Sequence, residues 1–138
     1  MKDSVALERL RLIVEASLPA YLSDLAQLVN TDSGSYTKPG VDAVGQWLAG
    51  QLAKLGASVS VERNETFGDT LVATFDEGSG TRQALLIGHM DTVFAAGTAA
   101  ARPFTMRDGR ALGPGVTDMK SGLLAGLYAL RALRTAYG

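Results

Sequence analysis

The spacing of apolar residues changes along this chain, and that change restricts it to a fold mixing helices with strands. From Val5 to Val29, apolar side chains recur at Leu7, Leu10, Ile13, Val14, Leu18, Leu22, Leu25 and Leu28. Most are three or four apart, the period of one helix face. Pro19 is expected to break this helix, since proline lacks the donor for the preceding turn. Asn30-Thr-Asp-Ser-Gly-Ser reads as a loop, because small polar side chains compete for backbone hydrogen bonds. Pro39 opens a second helix through Val44, Trp47, Leu48, Leu52 and Leu55, and Gly56 ends it.

The period then drops to two. Ala57, Val59 and Val61 alternate with Ser58, Ser60 and Glu62, as in a half-exposed strand. Leu71-Val-Ala-Thr-Phe predicts a second strand, and Asp76-Glu-Gly-Ser-Gly-Thr a tight turn. Ala84-Leu-Leu-Ile-Gly is apolar without interruption, which predicts a buried central strand. Phe104–Arg107 and Arg110–Leu112 flank Asp108-Gly109, a hairpin signal. Helical spacing returns from Met119 to Tyr137, with Leu123, Leu124, Leu127, Leu130 and Leu133 on one side. The expected fold is α/β, a central mixed β-sheet flanked by helices.

Composition removes several classes of function. With 138 residues the chain fits one domain, and 46% hydrophobic content rules out disorder. It has no cysteine, so disulfides and thiolate-held metals are excluded. Thirteen Lys+Arg against 14 Asp+Glu give no bias toward nucleic acid or an anionic membrane, and neither is expected as a partner. Glu8, Arg9, Arg11 and Glu15 interrupt the first apolar stretch before it can serve as a secretory signal. Gly122–Leu130 is too short to cross a bilayer, so a cytoplasmic chain is expected.

Two short constellations could carry chemistry. In Gly88-His89-Met90-Asp91-Thr92, alternate residues of an extended chain point the same way, so His89 and Asp91 can share a pocket. A carboxylate on one ring nitrogen fixes the imidazole tautomer for a metal on the other. Taken alone, the pair reads more readily as ordinary hydrogen-bonded loop residues than as a metal site. The second constellation is Gly113-Pro-Gly-Val-Thr-Asp118-Met-Lys-Ser-Gly. Its glycines permit tight turning, and Asp118 by itself reads as a helix N-cap. No P-loop ending follows the glycines. Trp47 and the helical leucines read as core. Lys120 reads as an exposed helix lysine, with a place near a substrate as the alternative, and Arg102, Arg107 and Arg110 as solvated, with one of them able to meet a substrate carboxylate.

The combination is more specific than its parts. An apolar strand leading into His89-Met-Asp91-Thr, then Arg102-Pro-Phe104, then Gly-x-Gly-x-x-Asp118-Met-Lys, resembles the zinc-dependent aminoacylase/carboxypeptidase metallopeptidases. Within them, Leu28-Val-Asn-Thr-Asp-Ser-Gly-Ser35 with Gly88-His-Met-Asp-Thr-Val-Phe94 is similar to the glutamate carboxypeptidase branch, beside acetylornithine deacetylase and succinyl-diaminopimelate desuccinylase. The resemblance implies that His89 ligates one zinc ion and that Asp118 bridges two. Asp91, assigned to the catalytic set, orients His89. It also implies a cis Asp118–Met119 bond, and hydrolysis of an amide next to a free carboxylate in a small peptide or N-acyl amino acid.

The sequence also departs from that pattern. The family's later acidic ligands and second histidine have no counterpart, since Met119–Gly138 contains no Asp or Glu and His89 is the one histidine. A two-zinc site needs about three ligands per ion. The chain therefore reads as an incomplete N-terminal part of the catalytic domain, spanning 1–138 and lacking the lid or dimerisation domain. By itself it is expected to bind zinc weakly or not at all, to be inactive, and to self-associate through exposed apolar surface. The alternative is a non-catalytic remnant acting as a folded partner-binding domain.

Overall fold

A computed structural model of the chain describes residues 2–75 and 83–137. The expected turn at Asp76–Thr81 lies outside them. Helix α1 (Lys2–Val29) is followed by α2 (Lys38–Lys54), strands β1 (Ser58–Glu62) and β2 (Thr70–Thr74), and a single turn α3 (Thr98–Ala101). Strands β3 (Thr105–Arg107) and β4 (Arg110–Leu112) come next, and α4 (Ser121–Tyr137) ends the described chain.

Three helices make the core. Leu25, Leu28 and Val29 of α1 pack with Val44 and Leu48 of α2 and with Leu124, Leu127 and Tyr128 of α4. Leu25, Leu28, Val44, Leu48, Leu124 and Leu127 are among the positions that the helical spacing puts on one face, whereas Leu7, Leu18 and Leu133 of the same stripes are exposed. Tyr21 and Tyr128 meet edge-to-face at 5.3 Å. The Tyr21 hydroxyl donates to the Ser121 carbonyl at 2.9 Å, and the Tyr128 hydroxyl to Asp24 at 2.7 Å. Each apolar ring thus carries its polar tip to a partner.

Pro19 does not break α1, which runs unbroken through it. Pro19 is exposed, and the turns on either side are held independently. Arg11 bridges Glu8 and Glu15 on the N-terminal side, while Leu25, Leu28 and Val29 are buried on the other. As one helix, Val5–Val29 is long and apolar enough to cross a membrane by length and composition, with a mean hydropathy of 1.2.

The strands differ from expectation in one important place. β1 and β2 pair antiparallel with Val61 opposite Leu71, and β3 and β4 pair antiparallel around Asp108-Gly109. Both turn residues have positive φ, 51° and 73°, the geometry of a tight hairpin turn. These are separate two-stranded sheets, and no central mixed sheet joins them among the described residues. Ala84–Gly88, expected as the buried central strand, pairs with no strand, and Leu85 and Ile87 are 82% and 83% exposed. An apolar run becomes a central strand only when neighbours pair with both of its edges. Here an open groove of about 1340 Å³, lined by Leu71, Val72, Leu85, Ile87, Leu123 and Leu127, lies beside it.

Candidate metal centre

Just past this unpaired segment, the chain is caught by the loop that follows α1. Thr92 donates its N–H to the Ser33 carbonyl at 2.8 Å, and Ser35 donates back to the Thr92 carbonyl at 3.0 Å. These two bonds make a short parallel bridge. They set His89 and Asp91 at the end of a segment that pairs with no strand among the described residues.

The other half of the site comes from the turn before α4. Gly113 and Gly115 both have positive φ. Residues Val116–Lys120 form a wide turn in which Asp118 and Met119 leave helical geometry, and the Asp118–Met119 peptide is cis. Asp118 is no N-cap, since α4 begins at Ser121 and the Asp118 carboxylate meets His89 instead. His89 Nε2 lies 2.9 Å from Asp118 Oδ1. Its Nδ1 lies 3.1 Å from both Oδ1 and the backbone carbonyl of Asp91. All three residues named from the sequence therefore converge.

Their electrostatics follow from this geometry. Partial burial pulls the His89 pKa down, but the Asp118 hydrogen bond, the Asp91 carbonyl and the charges of both carboxylates outweigh it, so the net shift is upward. A proton on Nδ1 satisfies Asp91. A second, on Nε2, serves Asp118.

Three residues not singled out as part of the site complete it. The Ser35 hydroxyl donates to Asp91 Oδ2 in a short hydrogen bond, fixing the carboxylate that holds the ring. Met119 Sδ accepts the His89 backbone N–H at 3.3 Å. Lys120, expected on the surface, is 1% exposed, and burial pushes its pKa down to about 8. Near neutrality it is still charged. Arg102, Arg107 and Arg110 are exposed, as expected, and Arg102 also stacks over the Phe94 ring at 5.1 Å.

The donor set suits a cation in kind. Two donors on one zinc, each about 2.0–2.2 Å from it at a tetrahedral angle, stand on the order of 3.3 Å apart. His89 Nε2 and Asp118 Oδ1 are already near that separation. The Asp118 side chain is 81% exposed, which leaves it room for a further partner. In number the set is short: among the described residues no group of three or more His, Cys, Asp or Glu is arranged to hold a metal ion.

Residues 85–138 match the family model of peptidase family M20/M25/M40, a stretch that holds His89, Asp91 and Asp118. Carboxypeptidase G2 of Pseudomonas sp. (strain RS-16) is 35% identical over 118 residues, 84% of this chain and 28% of the relative. Acetylornithine deacetylase of Proteus mirabilis (strain HI4320) is 38% identical over 128 residues, 86% of this chain and 33% of the relative. Succinyl-diaminopimelate desuccinylase 2 of Shewanella loihica (strain ATCC BAA-1088 / PV-4) is 36% identical over 97 residues, 67% of this chain and 25% of the relative. The chain thus spans a third or less of the length of these curated relatives. The segment that carries the converging imidazole and carboxylates, residues 85–138, thus matches peptidase family M20/M25/M40, and the chain is similar to a carboxypeptidase, a deacetylase and a desuccinylase over part of their length.

Proposed function

We propose that this chain supplies part of the metal centre of a hydrolase that cleaves an amide next to a free carboxylate, of the carboxypeptidase or deacylase type. The observation that carries the reading is the 2.9 Å approach of His89 Nε2 to Asp118 Oδ1, with Asp91 on the opposite ring nitrogen. His89 and Asp118 would hold zinc, and Asp118 would share it with a second ion. Asp91 holds the imidazole by Nδ1 and so presents Nε2 outward. Ser35 in turn holds Asp91. When bound, the metal pair lowers the pKa of a water and polarises the substrate carbonyl. The relatives' names include a carboxypeptidase, a deacetylase and a desuccinylase, which supports a small peptide or N-acyl amino acid as the substrate class.

With two direct donors, the chain by itself is expected to bind zinc weakly and to lack turnover. Ligand linkage makes weak binding measurable as stabilisation. Millimolar zinc is expected to raise the thermal midpoint of the chain, and His89→Ala or Asp118→Ala to abolish the rise. A rise that survives either substitution, or no rise in the parent, contradicts the proposal. A second reading, a folded module that binds a partner through an apolar face, draws on the exposure of Leu85, Leu86 and Ile87. It needs no zinc, so the same titration separates the two.

A further inference from the structure

Lys120 is the largest fully buried side chain among the described residues. Its Nζ donates to the carbonyl oxygens of Leu28 and Thr31, both at 2.7 Å. Leu28 lies in the last turn of α1, where its carbonyl also accepts the Thr31 N–H at 3.1 Å, and Thr31 lies just past the helix end, where the helix dipole is negative. Its backbone N–H bonds the Gly115 carbonyl at 3.0 Å, closing the turn that carries Asp118.

A buried ammonium has to be explained, because desolvating it is costly while a methionine would fill the same space without charge. What methionine cannot do is tie the Asp118 turn to residues 28–31. The loop that begins at Thr31 runs directly into Ser33 and Ser35, which hold Thr92 and Asp91. One ammonium therefore joins the two supports of the site.

We propose that Lys120 is a positioning residue: held between the Leu28 and Thr31 carbonyls, it sets the Asp118 turn against the loop that holds Asp91, and so fixes the His89–Asp118 contact. This rests on the reading of His89 and Asp118 as one site, but the test below uses no metal, so its failure is distinct from a failure to bind zinc.

With one histidine in the chain, imidazole ring nitrogens give one set of NMR signals. At a single near-neutral pH, Lys120→Met is expected to keep the folded amide spectrum while its His89 ring shifts move to those of Asp118→Asn. A folded Lys120→Met with parent ring shifts overturns the proposal. If Lys120→Met does not fold, Lys120→Arg takes its place: retaining charge and donors, it is expected to keep the parent ring shifts, and a folded Lys120→Arg resembling Asp118→Asn overturns it. In the unmodified chain, slowly exchanging Nζ protons coupled to the Leu28 and Thr31 carbonyls are expected, and their absence overturns it without any variant.

Discussion

His89 is gripped on three sides, by two carboxylates and a sulfur. Asp91 takes Nδ1, Asp118 faces Nε2, and the Met119 sulfur accepts the backbone N–H. The adjacent residues Asp118 and Met119 thus hold both the ring and the main chain of one histidine. Their turn depends on Gly115, whose φ is 72° and where an added Cβ would stand 2.5 Å from Thr92 Cγ2. Left-handed backbone costs a non-glycine residue about 1–3 kcal/mol, and the contact adds to it. Gly115→Ala is therefore expected to destabilise the chain by at least that much in urea unfolding. A substitution within experimental error of the parent would show that this turn does not set the site. At this scale the sequence was partly legible. His89, Asp91 and Asp118 stand in short patterns that are weak one by one, and their sharing of one site was implied by the resemblance of the combination. Lys120 and Ser35 were not legible as site residues, because the partners that give them roles lie 92 and 56 residues away.

Between elements, one buried carboxylate organises the junction of α2 with the β1–β2 connection. Asp69 accepts from Lys38 and Arg63, each at 2.6 Å, and from the Asn64 N–H at 3.0 Å, while its own N–H donates to Asp42. The Lys38 ammonium, helped by the Asn64 N–H and Arg63, overcomes the opposing effect of burial and lowers the Asp69 pKa from 3.8 to about 2. A depressed carboxylate stabilises the fold above its unfolded pKa and loses that contribution as pH falls through its folded one. Asp69→Asn should thus be less stable than the parent near neutrality, with the gap closing from about pH 4 toward about pH 2 in urea unfolding. A gap independent of pH would contradict the assignment. Elements defined by local chemistry were legible here. Asp108-Gly109 makes its own turn, and α2 stops at Leu55-Gly56. Ala84–Gly88 was misread as a paired strand because its composition specifies an apolar extended chain but not the neighbours that would pair with it. Pro19 was misread for a related reason, since packing beyond the proline decides whether a helix continues.

Across the whole molecule, three helices form one core, and the site lies at the ends of segments fastened to it. α1 and the loop after it each contribute a carbonyl that holds Lys120, the same loop holds Asp91, and the turn before α4 presents Asp118. The large apolar groove lies beside that frame, and His89 and Asp91 line it too. The central claim is that His89 and Asp118, which come from separate segments, meet in space to bind one cation. Paramagnetic cobalt(II) titrated into the chain tests this directly, because line broadening maps even a weakly held ion. Broadening is expected to centre on His89, Asp91 and Asp118 and to disappear from them in Asp118→Asn. Broadening centred elsewhere, such as on Asp42 and Asp69, or unchanged at His89 in that variant, would contradict it.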